Sequence, residues 1–235
     1  MSRPAAKSSR PAKAASRCTV ESLEGRSMMS ATLYASDSTG LLFKLNPTTG
    51  ATTPLFRTPV VMYDLANATN GKLWGVDGTS SLYKIDPAAK TVTKVGRAGT
   101  FVNALSRGPD GKLYGAGANN LFTIDTGTGR ASFVMSLGGS TSSAGDLAFT
   151  PDGKLYLSTA ADTLVRINLS TRKATTVGSI GFKQVYGLAY YDGKLRGLSN
   201  ATEQTFTIDT TTGHGSLTHG FGAKVSGAYG AAVVG

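Results

Sequence analysis

The sequence predicts an all-β protein built from a repeated unit of four antiparallel strands. The first observation is a turn-and-strand phrase, Asp-Gly-Lys-Leu-Tyr or a close variant, that recurs at intervals of about 40 residues. The second is the alternation of apolar and polar residues around this phrase, which is typical of short strands in layered sheets. The third is that the two ends of the repeat region hold complementary parts of one unit.

The recurring phrase predicts a hairpin in each unit. Its copies span residues 70–74, 110–114, 152–156 and 192–196, and residues 32–34 form a fifth copy that lacks the turn. Asn-Gly and Asp-Gly tolerate positive φ, and between two apolar runs they are the strongest short-range signal for a tight hairpin. An apolar first strand is therefore expected before each turn, and a second strand after it.

The rest of each unit predicts a third strand, a second turn and a fourth strand. The third strand alternates, as in residues 82–86, and the turn after it begins at an Asp or Asn that bonds the backbone ahead of it. Three units place glycine later in this turn, whereas Lys90 and Arg172 stand there in the other two, so strained backbone is expected at both. The fourth strand is polar and rich in threonine, as expected of an outer sheet edge.

The chain ends predict a closed ring. Residues 32–56 supply strands two to four of a unit without a first strand, and residues 225–234 form a first strand with nothing after it. Joined, they complete one unit, and units of about 40 residues with four antiparallel strands are the blades of β-propellers. The prediction is a five-bladed β-propeller over residues 31–235, with its ring closed by the C-terminal strand in the N-terminal blade. The alternatives are an open array and a ring closed by a second subunit.

Length and charge narrow the choice of partners. The chain has 235 residues with a formal net charge of +10, and beyond the N-terminal tail its lysines recur at equivalent turns instead of clustering with aromatic residues. That distribution does not favour specific nucleic-acid binding. Cys18 is the single cysteine, so no intrachain disulfide is expected, and no apolar run approaches the roughly 18 residues of a membrane span. We expect a monomer.

Residues 1–30 are predicted to be a disordered basic tail that carries an export or targeting element. Residues 1–17 consist mainly of Ser, Ala, Pro, Lys and Arg, contain no acidic residue, and have little to bury. Residues 23–29 resemble the Leu-Glu-Pro-Arg-x-Leu-Leu element of certain large bacterial exported proteins, with Gly25 in place of the proline and two methionines in place of the leucine pair. The resemblance implies a secreted or cell-surface protein. The alternative is a tail that only leads into the first strand.

The repeats themselves resemble those of bacterial β-propellers of the quinoprotein-like and related repeat families. Those blades also carry Asp-Gly-Lys-Leu-Tyr-Gly and Leu-Tyr-x-Ile-Asp-x-x-Thr-Gly phrases, and residues 110–115 match the first of them. The resemblance covers nearly all of residues 31–235 and implies the fold. It implies no activity, because β-propellers host many functions.

Candidate functional residues lie on the predicted first strands, because these strands face the central channel. Asp64 and Asp146 share one aligned position, which Ala104, Gly187 and Gly227 fill in the other units. Two carboxylates near a channel are able to hold a cation or a ligand hydroxyl. The alternative is that each carboxylate bonds backbone at the channel mouth.

Aromatic residues on the same strands complete the candidate ligand site. Tyr63, Tyr186 and Tyr229 belong to a set able to stack on a sugar or a peptide, although most of this set is expected to pack between blades. The other members of the set are Phe101, Phe149 and Tyr190.

No catalytic set emerges from the sequence. The one glutamate beyond the tail, Glu203, falls in a polar loop, so the paired carboxylic acids of a glycosidase are not evident. No metal-spaced His/Cys group is present, and neither a metal site nor a cofactor is expected. We expect a non-catalytic, exported or surface-associated propeller that acts as a binding, interaction or structural module for an unknown protein or glycan partner. The alternative is a hydrolase or lyase with a channel site at Asp64 and Asp146, assisted by a metal ion.

Overall fold

The chain folds into five sheets that surround a central channel. The computed structural model describes residues 1–2, 31–139, 141–222 and 225–235. Within these ranges it contains 20 β-strands in five antiparallel sheets of four strands each, and no helix. The sheets are the blades of a β-propeller, which confirms the predicted fold class. The predicted tail and its targeting element lie outside the described residues.

The strands are numbered in chain order and grouped by blade. Blade 1 contains β1 (Thr32–Ser36), β2 (Leu41–Leu45) and β3 (Thr52–Arg57). Blade 2 contains β4 (Met62–Asn67), β5 (Leu73–Asp77), β6 (Ser81–Asp86) and β7 (Thr91–Arg97). Blade 3 contains β8 (Ala104–Arg107), β9 (Leu113–Gly117), β10 (Asn120–Ile124) and β11 (Ala131–Ser136). Blade 4 contains β12 (Ser143–Phe149), β13 (Leu155–Thr159), β14 (Thr163–Asn168) and β15 (Lys173–Ser179). Blade 5 contains β16 (Val185–Tyr191), β17 (Lys194–Ser199), β18 (Gln204–Ile208) and β19 (Gly215–Gly220), and β20 (Tyr229–Val234) returns to blade 1.

The C-terminal strand closes the ring. β20 pairs antiparallel with β1, with Val233 opposite Leu33, and the strand order of this blade is β20-β1-β2-β3. The other four blades have the same order, with their first strand at the channel. The predicted closure is therefore confirmed, although the strand begins at Tyr229 and not at Val225.

The hydrophobic core lies in five seams between neighbouring blades. In the seam between blades 2 and 3, Leu113 packs in one cluster with Leu82 and Phe122. The leucines of the recurring phrase all lie in such seams and are at most 1% exposed: Leu33, Leu73, Leu113, Leu155 and Leu195. Burial of one leucine side chain contributes roughly 1.5–3 kcal/mol, so packing explains why this residue recurs in every blade.

The turns after the third strands carry the expected backbone strain. Lys90 has a φ of 56° and Arg172 a φ of 49°, both in the left-handed region, and both side chains are exposed. Gly129 stands in the equivalent turn of blade 3 with a φ of 76°. A Cβ on Gly129 would lie 2.8 Å from the carbonyl carbon of Gly96 in blade 2, so glycine is required there for a close approach between blades.

Candidate functional site

Three successive positions on the innermost strands line the channel as three layers. The register of each innermost strand against its neighbour defines these positions. The mouth layer consists of Tyr229, Tyr63, Asn103, Gly145 and Tyr186. The carboxyl layer consists of Gly230, Asp64, Ala104, Asp146 and Gly187. The amide layer consists of Ala231, Leu65, Leu105, Leu147 and Leu188.

Asp64 accepts hydrogen bonds from the backbone of two blades. The innermost strands have an unpaired edge toward the channel, and a buried N–H at such an edge needs an acceptor. Oδ1 of Asp64 accepts from the N–H of Leu65 at 2.6 Å, and Oδ2 accepts from the N–H of Leu105 at 2.5 Å. Both amides belong to the amide layer, one from blade 2 and one from blade 3.

Asp146 accepts backbone N–H hydrogen bonds from the remaining three blades. Its Oδ2 receives the N–H of Leu188 at 2.5 Å and the N–H of Ala231 at 3.0 Å. The N–H of Leu147 also bonds this carboxyl. One amide from every innermost strand is therefore satisfied by one of two carboxyls, which tie the five blades together at the channel axis. We call this arrangement the carboxyl hub.

Burial and mutual proximity raise the pKa of both acids. Asp64 and Asp146 are each 0% exposed. Burial, followed by the charge of Asp146, raises the pKa of Asp64 well above its ordinary value. Burial likewise raises the pKa of Asp146, although the N–H bonds act in the opposite direction. Two adjacent carboxyls that are removed from water do not both ionise readily, so we infer that the pair shares a single proton near neutral pH.

The hydrogen-bond donors indicate which carboxyl carries the shared proton. The side-chain hydrogen bond within the pair raises the pKa of Asp64 and lowers that of Asp146, which by itself would place the proton on Asp64. Both oxygens of Asp64 already accept N–H bonds, however, whereas Oδ1 of Asp146 has no hydrogen-bond partner of any kind among the described residues. Charged oxygens are the stronger acceptors, so we infer that the proton lies on Oδ1 of Asp146.

The other members of the carboxyl layer are small, which leaves room for the two acids. Gly230 has a φ of 37°, and a Cβ on it would lie 2.3 Å from the Cα of Asp64 and 2.5 Å from its Oδ1. The sequence alignment assigned this position to Gly227, and that assignment was wrong. β20 begins only at Tyr229, and Gly230, the unpaired residue at the register shift between β20 and β1, is the residue that lies against Asp64.

The mouth layer forms an aromatic cavity at the end of the channel where the innermost strands begin. The pairing register of β4 shifts at Tyr63 and that of β16 shifts at Tyr186, and such bulges re-aim one side chain of a strand. The Tyr63 and Tyr229 ring centroids are 6.0 Å apart at 75°, and those of Tyr186 and Tyr229 are 5.7 Å apart at 64°. The cavity measures about 220 Å³ and is lined by Tyr63, Asn103, Ala144, Gly145, Tyr186 and Tyr229.

Asn103 supplies the polar wall of this cavity. It is 8% exposed and donates Nδ2–H to the carbonyl of Ser143 at 3.3 Å, which fixes the orientation of its amide. Its Oδ1 then has no hydrogen-bond partner among the described residues, and neither does the hydroxyl of Ser143. Sequence reasoning missed Asn103. It stands at the repeat position of Tyr63, so comparing the residues at that one position in all five units would have found it.

A second cavity lies beyond the carboxyl layer. It measures about 250 Å³ and is lined by the amide layer and the residues that follow it, including Phe149 and Tyr190. The ring of Phe149 also packs on Tyr114 with centroids 5.3 Å apart, and Phe101 is 49% exposed. Of the predicted aromatic set, the structure brings the three tyrosines together in the mouth layer, next to both predicted acids, and places Phe149 and Tyr190 in the second cavity.

A further cavity lies away from the channel, between the turns of blades 4 and 5. It measures about 550 Å³, and its lining includes Asp152, Lys154, Lys194 and Asp209. The ammonium of Lys154 lies 2.6 Å from the exposed carboxylate of Asp152, and Asp209 accepts the N–H of Thr211 at 2.6 Å. Because similar turn residues recur in the other blades, we interpret this cavity as a groove between turns.

The carboxyl hub is poorly suited to a metal ion. Oδ1 of Asp146 is its one oxygen without an N–H donor, whereas Ca²⁺ takes six to eight oxygen ligands. Elsewhere in the described ranges, no three His, Cys, Asp or Glu side chains are grouped as metal ligands. The described part of the chain also contains no helix that could cross a membrane.

Comparisons with known proteins identify the fold. No protein-family model matches the chain, and no curated protein matches it in sequence. A chain from the crystal structure of a nidogen/laminin complex superposes with a TM-score of 0.63 at 11% identity, covering 86% of this chain and 98% of that one. These values show a shared fold alone.

Two further solved structures give the same result. A protein from a study of the de novo evolutionary emergence of a symmetrical protein has a TM-score of 0.53 at 21% identity, covering 85% of this chain and 93% of that one. A Bacteroides thetaiotaomicron protein of unknown function has a TM-score of 0.58 at 14% identity. That match covers 82% of this chain but only 57% of the other.

Proposed function

We propose that the chain is a non-catalytic β-propeller that binds a ligand or partner at the tyrosine-lined mouth of its channel. The observation that carries this proposal is the contrast between two neighbouring layers. The hub acids are fully buried and accept backbone N–H groups. The mouth is open, with Tyr63 41% exposed at a cavity of about 220 Å³.

The hydrolase or lyase alternative has less support from this geometry. A general acid or base must come within hydrogen-bond reach of its substrate, directly or through one water. Asp64 and Asp146 are 0% exposed, and the backbone of Gly230 lies directly against Asp64. Their elevated pKa values follow from burial and proximity, which a structural hub produces as readily as a catalytic pair does.

The mouth suits a small group presented by a larger partner. Its volume of about 220 Å³ is below the roughly 300–1,000 Å³ of pockets for drug-sized ligands. It therefore accommodates one ring or one side-chain-sized group, with tyrosine rings for apolar contact and phenol hydroxyls for hydrogen bonds. A glycan or a protein could present such a group. The fold neighbour from a nidogen/laminin complex supports a protein partner.

We also propose that the chain is exported or surface-associated and acts as a monomer. Export is supported by the resemblance of residues 23–29 to an element of bacterial exported proteins. The monomeric state is supported by ring closure within one chain, which leaves no blade seam open for a second subunit. Fractionation of bacterial cells that express the full chain tests the location, and light scattering tests the mass.

The binding proposal is tested by screening the full chain against arrays of glycans and extracellular proteins. Tyr63→Ala and Tyr186→Ala should each abolish the strongest signal. The matched control is Tyr190→Ala, which removes a tyrosine from the cavity on the other side of the hub and should leave the signal intact. Turnover of an array compound that is lost on Asp146→Asn, a variant expected to keep its fold, would contradict the non-catalytic proposal. A signal insensitive to both mouth variants would contradict the site.

A further inference from the structure

Three aromatic rings from adjacent blades wall the mouth cavity. Tyr229 in blade 1 lies between Tyr186 of blade 5 and Tyr63 of blade 2, at centroid distances of 5.7 and 6.0 Å. The planes of Tyr63 and Tyr186 are inclined to that of Tyr229 by 75° and 64°, so the rings bound different sides of the cavity and are not stacked in parallel. A cation is attracted to an aromatic face within about 6 Å of the ring centroid, so these spacings let one cation interact with two rings at once.

The lining of this cavity carries no positive charge, because none of its six lining residues is cationic. The two hub carboxyls beneath it accept backbone N–H groups. On the rim, burial, Tyr229 and then Asp162 raise the pKa of Tyr186, which keeps this phenol neutral. Lys183 is held by Asp162, with Nζ 3.0 Å from Oδ2.

The amide in the cavity wall is not available to a ligand. Nδ2 of Asn103 donates to the carbonyl of Ser143, and Oδ1 is buried and has no hydrogen-bond partner among the described residues. Apart from the phenols, the lining side chains therefore offer a ligand no accessible hydrogen-bonding group, whereas a neutral sugar presents several hydroxyls that need partners.

We propose that the mouth of the channel binds a quaternary ammonium group, with two or more tyrosine rings around the trimethylammonium head. The proposal rests on the mouth being a ligand site and names the chemical class of the ligand. Choline is a simple probe of this class, because it carries a trimethylammonium head and a single hydroxyl.

The test is isothermal titration of the full chain with choline chloride and with 3,3-dimethyl-1-butanol, at equal ionic strength. The second compound has the same shape but no charge. Choline should bind at one site, and the neutral compound should bind at least about tenfold more weakly because the attraction is to the charge. Tyr186→Leu should weaken choline binding at least about tenfold, whereas Tyr229→Phe, which keeps its ring, should change it less than about threefold.

Two further variants keep the test decisive. Tyr63→Leu replaces an exposed ring and serves if Tyr186→Leu fails to fold, and Tyr190→Leu is the control from the opposite cavity. Equal affinity for the charged and neutral compounds would overturn the proposal. The proposal would also be overturned if choline did not bind while a glycan or protein did bind and lost its binding on Tyr63→Leu. The mouth would then still be a ligand site. If no probe binding depends on Tyr63 or Tyr186, both the proposal and the proposed function are wrong.

Discussion

Asparagine is predicted to be tolerated at Asp146 but not at Asp64. In Asp146→Asn, the amide oxygen takes the place of Oδ2 and accepts from Leu188 and Ala231. The amide NH₂ takes the place of Oδ1, which accepts no N–H bond among the described residues, so the NH₂ faces no opposing donor. In Asp64→Asn, one NH₂ must face the N–H of Leu65 or Leu105.

The two variants should differ by several kcal/mol. Asp64→Asn loses a charge-assisted hydrogen bond and leaves a buried donor unpaired, for a combined cost of about 3–5 kcal/mol. For a domain of this size that lowers the melting temperature by roughly 10 °C. Asp146→Asn keeps every bond and no longer has to retain a proton at neutral pH. Its stability at pH 7 should equal or exceed that of the wild type, by at most about 4 kcal/mol.

Urea unfolding at pH 7 and at pH 4.5 measures both effects, with Trp74 as the fluorescent probe because it is the single tryptophan. The advantage of Asp146→Asn should shrink at the lower pH, where the wild type retains its proton at less cost. If Asp146→Asn proved the more damaging change, Asp64 would carry the proton. If both changes were harmless, the five amides would not depend on the hub.

Three further predictions address the rest of the structure. Raised pKa values at Asp64 and Asp146 mean that the folded chain holds a proton that the unfolded chain releases above about pH 4. Wild-type stability should therefore fall from about pH 4 toward neutrality, by up to about 1.4 kcal/mol per pH unit, whereas Asp146→Asn stays nearly flat. Below that range stability should rise with pH, because two other aspartates have lowered pKa values. Hydrogen bonds hold the pKa of Asp77 below its ordinary value, and Lys154 and Thr150 lower the pKa of Asp152 to about 2. Equilibrium unfolding from pH 3 to 8 measures both limbs, and a wild-type curve that rises throughout would contradict the hub. Lys90→Gly should stabilise the chain by about 1 kcal/mol, because glycine adopts the left-handed conformation without strain. Gly129→Ala should destabilise it by more than that, because the added Cβ would meet the backbone of Gly96. Thermal melts measure both changes, and shifts of the same sign would contradict this account. Deleting residues 225–235 removes β20 and the Ala231 amide, so the chain should unfold or oligomerise, which gel filtration would detect. Deleting residues 1–29 should leave the melting temperature nearly unchanged. Equal effects of the two deletions would argue against ring closure.

The fold could be predicted from the sequence because the same turn residues and core residues recur in every unit. The Asp-Gly turns and the buried leucines, such as Leu73 and Leu113, repeat with one spacing, so errors in one unit are corrected by the others. Ring closure followed from two incomplete units at the chain ends. The first strand of the closing unit was the weak point, since residues 225–228 precede the strand and shifted the alignment to Gly227.

The candidate site was predictable only in part. Asp64, Asp146 and the three tyrosines stood out because they interrupt the repeat on strands that face the channel. That the two acids meet, and that they accept amides from all five blades, depends on the channel radius and on the bulges at Tyr63 and Tyr186. Backbone donors carry no sequence signal of their own, so no residue pattern could have shown the hub.

The central claim is that two buried acids share a single proton and are occupied by the backbone of five blades. Carbon-13 NMR of the aspartate side-chain carboxyls, followed from pH 3 to 8, tests it most directly. We expect the signals of Asp64 and Asp146 to pass through the region near pH 4 without titrating, to keep the shift of one acid and one carboxylate toward neutral pH, and to be unchanged by added Ca²⁺. Titration of both signals near pH 4 with the surface aspartates, or a shift on Ca²⁺ addition, would contradict the account.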